Sequence, residues 1–154
     1  FPLGASETQV GLVTTYADSQ LFYTGIGSSD INRRALLHTI EQLQQEIVDG
    51  QTLKLSLQAI ENAYLKKSTA TRKLAVYFTG NTNFDTDPNA YAAQLFQQYQ
   101  MSLMAVKYST AADVTKLASL VGGLRCAPDA TTTALRGDLN ALIYTKICQN
   151  SFCR

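Results

Sequence analysis

Apolar positions along this chain follow two alternating rhythms. Short unbroken runs, QVGLVTTYA (9–17), LAVYF (74–78) and SLMAV (102–106), predict buried strands. QLFYT (20–24) follows the first run across an Asp18-Ser19 turn and reads as a short antiparallel partner. Between the runs the apolar residues recur at helical spacing. One stripe is Leu36, Leu37, Ile40, Leu43 and Ile47 after a capping Asp30, closed by Asp49-Gly50. Another is Leu53, Leu57, Ile60 and Tyr64, opening near Thr52 and ending at Lys66-Lys67. A third, Ala92, Leu95, Phe96 and Tyr99, follows an Asp87 cap and Pro88. Val114, Leu117 and Ala118 mark a short helix from Asp113 to Val121, stopped by Gly122-Gly123. A brief strand is expected at Leu124–Cys126. A last helix carries Leu135, Leu139, Leu142, Ile143 and Ile147. Strands alternating with amphipathic helices predict an α/β fold: three layers, Rossmann-like and doubly wound, mostly parallel, with one short antiparallel strand.

Composition narrows the class only a little. The 154 residues are 45% hydrophobic and 16% charged, with net charge +1, as in an ordinary globular domain. Arg33-Arg34 and Lys66-Lys67 are the densest cationic spots, and each is a pair that reads as a solvated helix end. No basic stretch exists to neutralise phosphates, so nucleic acid is not an expected partner. No apolar run reaches the ~20 residues that a membrane span requires. There is no Asn-x-Ser/Thr sequon. The chain opens at Phe1 without an initiator Met, which reads as a processed or partial chain.

Enzyme chemistry finds no foothold. The one histidine, His38, lies off its helix's apolar stripe; Ser56 and Ser102 have no base near them in sequence. Gly25-Ile26-Gly27 lacks the spacing of a phosphate loop. The eight tyrosines and six phenylalanines fall mostly in stripes and strands as packing, with Tyr16, Tyr23 and Tyr108 at strand ends. The expectation is no enzyme and no cofactor.

GQTLKLSLQAIENAYL (50–65) followed by KLAVYFTGNTN resembles the middle of a von Willebrand factor type A (VWA) domain. In that family a Gly-x-Thr opens a helix and a buried strand then ends in Thr-Asp-Gly. QVGLVTTYADSQLFYTG resembles the family's second and third strands, and SLMAV with DVTKLASLVGG its fifth strand and next helix. The terminal ICQNSFC resembles secreted invertebrate proteins that join such a domain to C-type-lectin-like modules. Residues 1–154 then read as one VWA-like domain lacking the family's first strand and first helix.

The resemblance implies a metal-dependent adhesion site, and the residues depart from it. Thr52 matches the family's Thr and Thr79 the residue before its Asp, but Gly80 stands where that Asp belongs. Asp-x-Ser-x-Ser is absent, and Asp85 and Asp87 read as a solvated loop residue and a cap. A hard dication needs carboxylate charge beside the hydroxyls, so Thr52, Thr79 and Gly80 are vestigial positions and the expectation is no metal.

Two functions remain. The first is an extracellular, metal-free module for protein interaction or assembly. The second is a metal-dependent adhesion domain whose missing ligands come from outside this chain. The three cysteines predict disulfides in an oxidising, extracellular setting. The predicted strand with Cys126 starts at the amino end of the sheet, where the last helix delivers Cys148. A Cys126–Cys148 bridge is expected, leaving Cys153 for an intermolecular bond. In the resembled fold a central strand lies between the counterparts of VGLVTTY and LAVYF. A vacant slot there would strand on the order of ten backbone groups at ~1–3 kcal/mol each, against a domain stability of ~5–15 kcal/mol. The expected partner is therefore a protein segment: a missing N-terminal piece, or a strand donated by another copy, which head-to-tail could build filaments.

Overall fold

The computed structural model describes residues 8–15, 21–23, 29–43, 50–149 and 152–153. Contacts gather into two compact units, Phe1–Ser68 and Thr69–Arg154.

In the first unit, β1 (Leu12–Val13) pairs antiparallel with β2 (Leu21–Tyr23). The antiparallel return expected for QLFYT is present. The run expected over 9–17 is only two residues of strand among those described; its last two residues, and the Asp18-Ser19 turn, lie outside them. Helix α1 (Ser29–Gln42) covers most of the first stripe. That stripe is not a buried face, however: Leu37 is 52% and Ile40 47% exposed. Ile47 and Asp49 lie outside the described residues.

Helix α2 (Leu53–Ile60) does bury its stripe, through Leu53 and Leu57, and widens into a π-helical turn over Glu61–Leu65. The Lys66 amide reaches back five residues to the Glu61 carbonyl at 3.1 Å. Two contacts fasten α2 to the strand end before it. The Thr52 amide donates to the Thr15 carbonyl at 3.0 Å. The Ser56 hydroxyl donates to the Thr14 carbonyl at 2.8 Å, beside its own helix's Thr52 carbonyl at 3.2 Å.

The second unit is a βαβ unit with two more helices. Parallel strands β3 (Lys73–Thr79) and β4 (Met101–Lys107) pair in continuous register from Lys73 opposite Met101 to Thr79 opposite Lys107. Helix α3 (Asn89–Tyr99) links them and ends at Gln100, whose left-handed φ of 55° lets a single residue turn the chain into β4. The Asp87 carboxylate accepts from the Asn89 amide at 2.9 Å, the capping role expected from sequence.

Helix α4 (Val114–Val121) starts at Asp113, whose carboxylate accepts from the amides of Thr115 (2.8 Å) and Lys116 (3.4 Å). It stops at Gly122, with φ 85°. Helix α5 (Thr133–Gln149) closes the unit. The core lies around β4, with Leu95 of α3 and Leu117, Leu120 and Val121 of α4 packed to near-complete burial.

Two expectations fail here. LAVYF does not bury both faces. Residues 101–106 of β4 are fully buried, whereas Leu74, Ala75 and Val76 of β3 are only half-buried and Phe78 is 53% exposed. Nor is Leu124–Cys126 a strand: after Gly122-Gly123 it winds as one turn of 3₁₀ helix. The extended pairing comes four residues later. Lys107 forms a parallel bridge with Asp129, its amide donating to the Pro128 carbonyl at 3.0 Å and its carbonyl accepting from the Ala130 amide at 2.8 Å. Pro128 carries no amide hydrogen, but its carbonyl can still serve an edge, which confines the pairing to a few bonds.

Candidate functional site

Thr52 belongs to the first unit; Thr79 and Gly80 belong to the second. Thr52 is buried, with its amide bound to Thr15 and its carbonyl serving Ser56. Thr79 is buried at the carboxyl end of β3, and its hydroxyl donates to the Asn81 carbonyl and accepts from the Asn81 amide. The Thr79 side chain is therefore engaged in its own loop. Gly80 is exposed and brings no carboxylate. Asp85 is exposed on that loop, and Asp87 is used by α3. Among the described residues no three His, Cys, Asp or Glu side chains gather as a metal set would require. Thr79 and Gly80, with Asp85 exposed and Asp87 engaged at α3, do not by themselves make the carboxylate-rich ligand set of a hard divalent ion.

The loops after β3 and β4 are tied to each other. Thr82, buried in the first loop, accepts from the Asp113 amide at 3.1 Å, so it positions the residue that caps α4. The amides of Thr115 and Lys116 hold the Asp113 carboxyl below its ordinary range. Sequence reading did not single out Thr82; a buried Thr in a polar TGNTN loop leaves no periodic trace.

The sulfur arrangement departs from expectation. Cys126 is bridged to Cys153, with Cα atoms 6.0 Å apart, and Cys148 is the free, exposed thiol. The expected Cys126–Cys148 bridge is thus replaced, and Cys153 is not the sulfur left over. The reason lies in α5. Lys146, only 8% exposed, places its amine 3.9 Å from the Cys126 sulfur. Cys148 lies two residues further, about 200° around the helix, and so points away from Cys126. Burial, and then the nearby Arg125 charge, lower the Lys146 pKa. Sequence reading passed over Lys146 too, although it sits in the helical phase of Leu139, Leu142 and Ile143.

No protein-family profile matches the chain. Its sequence is 30% identical over 146 residues to protein irg-7 of Caenorhabditis elegans, covering 84% of this chain but 6% of that protein. Its structure is similar to proximal thread matrix protein 1 of the mussel byssus, with TM-score 0.75, 14% identity, 93% of this chain covered and 36% of the mussel chain. A second structure of that protein, with a zinc-occupied MIDAS motif, superimposes with TM-score 0.72, 15% identity and coverage of 92% and 35%. The chain therefore has a VWA-like α/β fold and spans a small part of the proteins it resembles. No described helix is long and apolar enough to cross a membrane.

Proposed function

We propose that this chain is an extracellular, non-enzymatic interaction and assembly module of VWA type that works without a divalent ion. The observation that carries the reading is β3. Among the described residues it pairs with β4 alone, and its residues 73–76 are half-buried and Phe78 is exposed where residues 101–106 of β4 are buried. A parallel strand is normally covered on both faces and both edges. KLAVYFT carries no proline and no bulge in its pairing with β4, and only one charge, at its first residue. Its edge suits an added strand, given by the same polypeptide outside residues 1–154 or by a neighbouring copy. The likeness to a byssus thread matrix protein supports an assembly role. The bridge between Cys126 and Cys153 supports an oxidising, extracellular setting.

A second reading, a metal-dependent adhesion domain completed by ligands from outside the chain, draws on the zinc-occupied MIDAS motif of the mussel protein. One experiment separates them. Thermal stability and self-association are measured with and without EDTA, and hydrogen exchange of residues 73–79 is followed as the protein associates. The metal-free reading expects no EDTA effect and slower exchange in KLAVYFT on association. A melting point lowered by several degrees in EDTA refutes it in favour of the second reading. Association that leaves exchange in KLAVYFT unchanged refutes the added strand.

A further inference from the structure

The second unit holds a buried disulfide sulfur beside a buried amine, and a free thiol on the far side of the same helix. Cys126 is fully buried, whereas Cys153 is half-buried and its sulfur lies 3.8 Å from the Gly123 carbonyl. Of the two bridged residues Cys153 is the one with exposed surface, so an incoming thiolate approaches the bridge there. The sulfur that must then leave is Cys126, and the Lys146 amine stands 3.9 Å from it, with the Arg125 charge close enough to act on Lys146. A cation beside a leaving thiolate lowers that thiol's pKa, and a low-pKa thiol leaves faster. Burying an amine costs stability, so Lys146 is an expensive neighbour for a bridge that serves only to hold two segments together.

Cys148 supplies the other half. It is exposed, and Tyr144, one turn back on α5, hydrogen-bonds with it. Lys146 faces the bridge, so the about 200° of helix between positions 146 and 148 turns Cys148 away from it. While α5 stays folded, Cys148 cannot attack its own bridge. It can attack one in another molecule.

We propose that the Cys126–Cys153 bridge is an exchangeable disulfide through which copies of this chain link head-to-tail, with Cys148 of one copy as nucleophile, Cys153 of the next as target and Cys126 as leaving group. The Cys148 thiolate forms a new S–S bond to Cys153 Sγ, the Cys126–Cys153 bond breaks, and its electron pair stays on Cys126. Each link consumes one thiolate and releases one, so no oxidant is required. Each copy has one nucleophile on α5 and one target at Cys153, so the contact is heterologous and propagates. Lys146 is a positioning residue, acting through the charge on Cys126. This rests on the assembly reading above and names its covalent step.

The test uses the oxidised chain, free of reductant, followed by non-reducing gels and peptide mapping. A ladder of covalent oligomers joined by Cys148–Cys153, with one free Cys126 thiol per link, supports the proposal. Cys148→Ser should abolish the ladder and leave Cys126–Cys153 intact. Isotope-labelled Cys148→Ser (a bridge without a nucleophile) mixed with an unlabelled Cys126→Ser/Cys153→Ser variant (a nucleophile without a bridge) should give a mixed dimer. Lys146→Met should slow linkage at least tenfold, and Lys146→Arg should restore it. Circular dichroism confirms that both are folded, and exchange of the same bridge with glutathione should slow in parallel. Three results overturn the proposal: a chain that stays monomeric with its bridge intact, linkage through any other pair of sulfurs, or a Lys146→Met rate equal to the parent's. Sedimentation of Cys148→Ser reports non-covalent association separately, so a chain that associates without linking refutes the exchange and leaves the assembly reading standing.

Discussion

Lys107 and Asp129 meet twice: their backbones form the parallel bridge beside β4, and the Lys107 amine lies 3.0 Å from the Asp129 carboxylate. The carboxylate also accepts from the Thr131 amide at 3.0 Å. Bonds from Thr131, and then from Lys107, hold its pKa below the ordinary carboxylate range. A depressed carboxylate stabilises the fold above its unfolded pKa, and that contribution is lost as pH falls through the depressed value. Asp129→Ala should lower the melting midpoint by roughly 2–5 °C near neutral pH. Thermal melts on the acid side should then show a shallower decline than the parent's.

At the start of α4, Asp113 caps two amides and is itself placed by Thr82. Asp113→Ala removes the cap and should lower the midpoint by a few degrees, with Asp113→Asn keeping most of it. Thr82→Val should reproduce part of the Asp113→Ala loss, and combining the two should cost less than their sum, because both act on one turn. A double-mutant cycle from chemical denaturation checks this.

In the first unit Ser56 is almost fully buried and donates to the Thr14 carbonyl. The Ser56→Ala change leaves that carbonyl without this donor and should cost about 1–3 kcal/mol in urea unfolding. Gly11 is the companion test. A Cβ there would fall onto the ring and hydroxyl of Tyr64, so Gly11→Ala should also destabilise, and Tyr64→Ala should relieve that penalty.

The Cys126–Cys153 bridge spans a sequence separation of 27. Chain-entropy estimates give about 3–4 kcal/mol for a loop of that size. Cys153→Ser should lose an amount of that order in the monomer, whereas Cys148→Ser should change monomer stability by less than about 0.5 kcal/mol. Denaturant titration of both variants decides between this pairing and Cys126–Cys148, for which the effects would be reversed.

How much of this was legible follows from which signals are periodic. The α/β alternation was, because β4 and the helices α2 to α4 carry clean apolar runs or stripes, and α4 is bounded by the Asp113 cap and Gly122 as capping chemistry requires. The strand near Leu124–Cys126 was misplaced by four residues: LRC is apolar enough to look extended, but it follows two glycines, and the pairing belongs to Pro128–Ala130. The apolar stripe of α1 suggested a core, yet Leu37 and Ile40 are exposed; periodicity shows that a face is apolar and not that something covers it. The cysteine pairing was within reach. Leu139 and Cys148 are nine residues apart, about 180° around α5, so the helix turns Cys148 away from its apolar side. The reading of Thr52, Thr79 and Gly80 as vestigial metal positions rests on residue identity alone, a motif and its missing carboxylate.

Lys146 gives the last prediction, because its burial sets a sign. Its pKa is lowered from 10.5 by burial first and by Arg125 second. Between the lowered value and the unfolded value the unfolded chain binds more protons, so this residue makes stability rise with pH across that window. Equivalently, the buried ammonium is a cost to the folded state at neutral pH, a cost that disappears when it loses its proton. The raised phenols work in the opposite direction at higher pH: Tyr77, pushed up to about 12 by burial, resists ionising in the folded state, so stability falls once the unfolded chain's tyrosines titrate near 10.0. Lys146 must therefore be read as a difference. Urea midpoints of the parent and Lys146→Met, measured at intervals from neutral pH to about pH 10, should converge or cross as the parent gains on the variant. Lys146→Arg, which stays charged throughout, should show no such gain. Parallel curves for the parent and Lys146→Met would mean that the amine does not titrate in this environment.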